Sequence, residues 1–297
     1  MKLKQRNLSS YKKILLFFLS HVIGFFGSIT GFSQSFSPQI GFTGTDAIHA
    51  DSIIVAGWAV SCEVKRGYIN ISDTNVYYMG SNRATFGADT NAIGKAGGTM
   101  NVVSLGDGGE ALLTFNPPIT NGKGFDFVVF ENAILDPYNP EKAFLELAFV
   151  EVSSDGENFY RFPAISEMQS EVQIKTFENT NCAFYHNLAG KYPAFYGTPF
   201  DLEDLREYEA ELNLNRITHV KIIDVIGTIN PEFATYDYYG NIINDPFPTP
   251  FHTGGFDLDA VAIINMGNEL TISNFDDLPL DEDSYWNGSD NAGGFIS

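Results

Sequence analysis

Turn signals recur along this chain at short intervals, and the stretches between most of them are too short for long helices. "GDGG" at 106–109, "NGKG" at 121–124 and "SSDG" at 153–156 are made of residues that supply positive φ or side-chain turn hydrogen bonds. Strand-like runs lie between such clusters at Ile53–Ala59, Gly67–Ile71, Asn101–Leu105, Ala111–Phe115, Phe125–Phe130, Leu145–Ser153, Phe159–Phe162, Val220–Val225 and Val261–Asn265. Helical periodicity is scarce, and the 26 Phe and 14 Tyr residues suit half-buried pleated surfaces better than helices. Many short strands divided by turns predict an all-β fold, a β-sandwich of jelly-roll-like form.

Two local patterns are sharper. In "AFVEVSSDGENFYRF", Val150 and Val152 alternate with Glu151, Asp155-Gly156 offers a tight turn, and Phe159 and Phe162 begin a return strand. In "TPFDLEDLREYEAEL", Thr198 or Asp201 can cap a single short helix and Pro199 suits an early position. Asp204 stands three residues after Asp201, a carboxylate version of the capping box, and Leu202, Leu205 and Leu212 fall roughly on one face.

The first 33 residues read as a signal peptide. A basic segment is followed by an apolar run from Ile14 to Ile29, with small residues at Gly31 and Ser33 before a cleavage point. The run is shorter than the ~20 residues of a membrane span, so the mature chain is expected to have no transmembrane segment. Removing Lys2, Lys4, Arg6, Lys12 and Lys13 with no acidic residue deepens the formal charge of −20 by five. A surface so acidic repels phosphate backbones and argues against nucleic acid as a partner. It suits divalent cations, or solubility outside the cell. Cys62 and Cys182 are the only cysteines; in an oxidising compartment they could form one disulfide closing a long loop, the alternative being two buried free thiols.

Familiar catalytic signatures are missing: there is no H-E-x-x-H zinc helix and no G-x-S-x-G elbow. "GDGGEA" is followed by a strand pattern rather than a helix, and "AIGKAGGT" lacks P-loop spacing, so both read as turns. His49, His186, His219 and His252 have no ligand spacing. Glu131, Glu146 and Glu151 lie on or beside predicted strands and are the carboxylates a glycosidase would use. The acidic segment from Asp224 to Asp259 is a candidate calcium site. Asp237, Asn241 and Asp245 recur every four residues in a Gly- and Pro-containing loop, Asp257 and Asp259 share one face of a strand, and Asp224 ends another. The alternative is a set of turns and solvated carboxylates.

Six ordered blocks also carry a family resemblance: "VVSLGDGGEALLTF", "GKGFDFVVFEN", "FLELAFVEVSSDGENFYRFP", "NLAGKYPAFYGTPFDLEDL", "VKIIDVIGTINP" and "GGFDLDAVAIIN". Together they resemble a family of bacterial exported cell-surface proteins, many bearing sorting signals. The resemblance implies an exported β-rich domain, often joined to other surface modules, with no established reaction. The hairpin "VEVSSDGENF" is similar to one in galactose-binding-like jelly rolls. The end of the chain, "FDDLPLDEDSYWNGSDNAGGFIS", looks like the truncated start of a second surface module.

These readings divide the chain into a signal peptide (1–33), a β-sandwich surface domain (34–266), a linker (267–275) and the start of a second β module (276–297). The expected function is non-catalytic binding at the extracellular or outer-membrane surface of a bacterium. Glycan is the leading ligand class, contacted by Tyr138, Tyr192, Tyr196, Tyr236, Tyr238 and Tyr239 in Pro-, Gly- and Asn-containing loops, with calcium steadying those loops. Two alternatives are an accessory role in outer-membrane capture of a nutrient such as a corrinoid, and a polysaccharide hydrolase.

Overall fold

Alternation of apolar residues in the longer runs builds two facing antiparallel sheets. The structure, a computed structural model, describes residues 36–267. The expected signal peptide, residues 268–275 of the linker and the module start at 276–297 lie outside the described residues. Strands of the two large sheets are numbered here in chain order: β1 (Ile48–His49), β2 (Gly57–Trp58), β3 (Ser61–Lys65), β4 (Val103–Ser104), β5 (Glu110–Ile119) and β6 (Phe127–Glu131). They continue with β7 (Ala148–Ser153), β8 (Tyr160–Arg161), β9 (Tyr196–Phe200), β10 (Ile217–Asp224) and β11 (Asp257–Ile263). The first sheet has the order β1-β9-β6-β11-β2, with β4 also paired to β11. The second has the order β8-β7-β10-β5-β3. The all-β sandwich expected from the turn pattern is therefore what the chain forms.

The two inner faces meet in one apolar layer. Val150 and Val152 of β7, Val220 and Ile222 of β10 and Leu113 and Phe115 of β5 pack against Phe127 and Val129 of β6 and Val261 and Ile263 of β11. At its centre Phe127, Phe162 and Phe200 form a closed triangle of rings, with centroids 5.0–5.8 Å apart. The outer face of the first sheet is covered as well, because Ile48, Ala50 and Ala96 pack onto Val128, Phe130, Ala260 and Ala262. Coverage on both faces explains why β6 and β11 are apolar almost throughout rather than alternating. A further core joins two small sheets to the main body around Leu145, Leu147, Tyr185, Tyr192 and Ile243.

The hairpin forms with Tyr160 opposite Val152 and Arg161 opposite Glu151. Its connection, residues 154–159, is longer than the tight turn expected. Gly156 alone takes positive φ (81°), while Asp155 works through its side chain, accepting from the backbone of Glu157 and Asn158 and from the Asn158 amide. A Cβ at Gly156 would also meet the His219 ring at 2.8 Å.

The expected helix is shorter and tighter than its sequence suggested. Thr198 and Pro199 belong to β9, Asp201 is the cap and accepts from the Glu203 N–H, and a 3-10 helix runs from Leu202 to Tyr208. Leu202 and Leu205, three apart, stack on the same side of a three-residue turn and reach the sandwich core together with Leu212. The run at Gly67–Ile71 forms only isolated bridges, from Tyr68 to Arg83 and to Asp107. Cys62 and Cys182 are free thiols, the second of the two states open to them. Cys62 packs on the sandwich core from β3, Cys182 lies in the core beside the small sheets, and burial pushes both thiols up to about 12.

Candidate functional site

Strand ends and loops place the polar chemistry in two regions, one built from tyrosines and one from carboxylates. The tyrosine region is an open cleft of about 380 Å³ beside β7 and β8. Its floor comes from Phe149, Phe162 and Ala164, and its sides from Tyr160, Tyr208, Tyr236 and Tyr238 with Arg161 at one edge. Arg161 is held rigid: its guanidinium stacks on Phe149 at 4.2 Å and makes a two-point contact with Glu151 at 2.8–2.9 Å. The Tyr160 and Tyr208 rings lie 5.1 Å apart at 44°.

One carboxylate builds the loop that brings the remaining tyrosines in. Asp237 accepts from the backbone N–H groups of Ser166, Tyr239 and Asn241 and from the Asn241 amide, at 2.8–3.1 Å. The Tyr238 N–H donates to the Ala164 carbonyl at 2.8 Å, which pins the loop beside β8. Tyr236, Tyr238 and Tyr239 stay exposed on it, and Tyr239 lines a neighbouring cleft with Asn241 and Met168. Among the expected sugar contacts, then, Tyr236 and Tyr238 meet in one cleft. Of the other four, Tyr239 lines the neighbouring cleft, Tyr138 is 95% exposed in its own turn, Tyr192 is buried with its hydroxyl on Asp46, and Tyr196 sits in β9 edge-on to His49. Sequence reasoning missed Tyr160, Arg161 and Tyr208, because nothing local says that a hairpin, a 3-10 helix and a loop more than seventy residues downstream of the hairpin share a wall.

The carboxylate region gathers where β6 and β10 end and β7 and β11 begin. Glu131 accepts from the Ala133 N–H at 2.6 Å; Asp257 is held by the Ser104 hydroxyl and by the Asn132 amide at 3.1 Å. Asp224 bridges the N–H groups of Gly108 and Phe256, and Asp245 accepts from the Leu147 N–H at 2.9 Å. Glu146 lies among them and is 7% exposed. Burial pushes the Glu131 and Glu146 carboxyls well above the ordinary range, with Asp257 the next contributor to each. Burial likewise raises Asp224, helped by Asp107, and raises Asp245; Asp257 is pushed up to about 6.

The six side chains expected to share one calcium ion are thus distributed over three places. Asp237 and Asn241 build the tyrosine loop, Asp259 clasps the N–H groups of Gly97 and Gly98, and Asp224, Asp245 and Asp257 belong to the buried acidic end. Among the described residues no group of three or more His, Cys, Asp or Glu side chains is arranged to hold a metal ion. Of the three glutamates considered for hydrolysis, Glu151 is an ion-pair partner of Arg161 and Lys221 on the outer face of the second sheet. Glu131 and Glu146 are together at the acidic end. No helix among the described residues is long and apolar enough to cross a membrane. Comparison with protein-family models, curated proteins and solved structures finds no match to this chain.

Proposed function

We propose that this chain is an exported, non-catalytic binding module of the bacterial cell surface, and that it takes a glycan in the tyrosine cleft. The observation that carries the reading is the convergence of Tyr160, Tyr208, Tyr236 and Tyr238 from three separate segments around one open cleft. Pyranose rings present apolar C–H faces that stack on phenol rings, and tyrosine hydroxyls then reach the sugar hydroxyls at the rim. Arg161, whose Nε and Nη2 are engaged by Glu151, leaves its Nη1 at the edge as a donor for a sugar hydroxyl or ring oxygen. Export is supported by the basic and apolar N-terminal pattern and by the resemblance of the six ordered blocks to surface proteins.

A glycan array probed with the protein tests this directly. Retention of a discrete set of oligosaccharides is expected, with Tyr236→Ala and Tyr238→Ala each weakening it by about tenfold or more. Tyr138→Ala, on a separate turn, is expected to bind as the parent does. An array with no retained glycan, or Tyr236→Ala and Tyr238→Ala proteins that bind unchanged, would sink the reading.

A further inference from the structure

We propose that the glycan of the tyrosine cleft continues over the 236–242 loop into the neighbouring cleft, a second subsite for neutral sugar units, an inference that rests on the glycan reading of the first cleft. The second cleft is open and holds about 440 Å³. Two short segments line both clefts. Ala164 faces the first, while Ile165 and Ser166 face the second; Tyr236 and Tyr238 face the first, while Tyr239 and Asn241 face the second.

A pair of exposed rings divides the clefts. Tyr238 and Tyr239 are 59% and 69% exposed, and their centroids lie 5.3 Å apart at 80°. Sugar units stacked on the two rings would therefore be neighbours along one chain. The ridge is held from beneath by Asp237. Its Oδ1 accepts from the Tyr239 and Asn241 N–H groups, and its Oδ2 accepts from the Ser166 N–H and the Asn241 amide, which ties the two walls of the second cleft together. The turn carrying Glu171 is set as firmly. The side-chain amide of Asn244, fully buried, donates to the Gln169 and Val172 carbonyls at 2.8 Å, and Gln169 Oε1 accepts from the Glu171 and Val172 N–H groups at 2.9 Å. Walls fixed before binding lose little further freedom when a ligand settles between them.

The polar groups on offer differ between the clefts, and the difference selects the sugar. The first presents tyrosine hydroxyls and the Nη1 of Arg161. The second presents acceptors: the carboxylate of Glu171, which is exposed, and the Oδ1 of Asn241, whose amide nitrogen is the atom engaged by Asp237. Glu167 adds a second carboxylate, and no Lys or Arg lines this cleft. Such a lining accepts from sugar hydroxyls and repels uronates and other acidic units. Tyr239 supplies the stacking face, and Ile165 and Met168 add apolar surface for ring C–H groups.

The test is calorimetric titration of the protein with the disaccharide and hexasaccharide members of neutral gluco-, manno-, xylo- and chito-oligosaccharide series, and of an acidic galacturonate series. In a neutral series that binds, the hexasaccharide is expected to bind about tenfold more tightly than the disaccharide, and in the galacturonate series to show no such gain. Tyr239→Ala and Glu171→Ala, both at exposed positions, are expected to erase the gain with Tm unchanged, and Tyr138→Ala to keep it. Equal affinity for both lengths in every neutral series that binds, or a gain retained in both variants of the second cleft, would overturn the second subsite and leave the first cleft standing. Binding of no neutral member would overturn it too, and the glycan array then decides separately whether the first cleft takes a glycan.

Discussion

At the scale of single residues, the acidic groups of this chain act chiefly as backbone clasps. Asp107 is one of them: it is 4% exposed, its Oδ2 accepts from the Ile71 N–H at 2.8 Å, and burial pushes it up to about 6. Its folded pKa lies above the unfolded value of about 3.9. The stability that it contributes is therefore complete below about pH 4 and is lost as pH rises through about 6. Asp107→Asn keeps an acceptor and has no charge to bury. Relative to the parent, the variant is expected to gain on the order of 2 kcal/mol between pH 4.5 and 7.5. Parallel urea titrations at the two pH values measure it, and a parent-to-variant difference that does not move with pH would refute the assignment.

At the scale of elements, Asp126 decides where three segments stop. It is fully buried, and it accepts from Gly122 N–H, Leu202 N–H and the Asn265 amide, each at 2.7 Å. It thereby joins the "NGKG" turn, the start of the 3-10 helix and the end of β11. Asp126→Ala leaves the buried Leu202 N–H without an acceptor and frees the Gly122 N–H and the Asn265 amide, and is expected to cost about 1–3 kcal/mol. Urea unfolding with an unchanged m-value would show that loss, and a loss under about 0.5 kcal/mol would contradict the clasp. The capping role of Asp201 was legible in the sequence because a cap acts within two residues. The role of Asp126 was not, since its partners at 202 and 265 become neighbours only on folding. The bulge between Leu258 and Ala260 was hidden for the same reason: β11 is matched to β6, not to its own flanks.

At the scale of the whole molecule, stability rests on the layer between the sheets. Phe200 touches both Phe127 and Phe162 in that layer and is completely buried. Phe200→Ala opens a cavity that neighbouring rings cannot refill, with an expected cost of about 3–5 kcal/mol. Thermal unfolding of the variant should show this loss as a lower Tm.

Period and turn chemistry settled part of this protein in advance. The β class, the Val150–Val152 face, the place of the turn at 153–156 and the Leu202–Leu205 face follow from interactions within a few residues, and such interactions are written in local sequence. Which tyrosines share a cleft, and which carboxylates face one another without a counter-charge, depends on strand order. That order puts β8 at one edge of the second sheet, and it brings the end of β6 to the start of β11. Tyr236 and Tyr238 were separable from Tyr138, and Glu146 from Glu151, only once pairing across the sheets had set their surroundings. Local sequence states what each residue can do, and the long-range pairings decide which of those capacities meet.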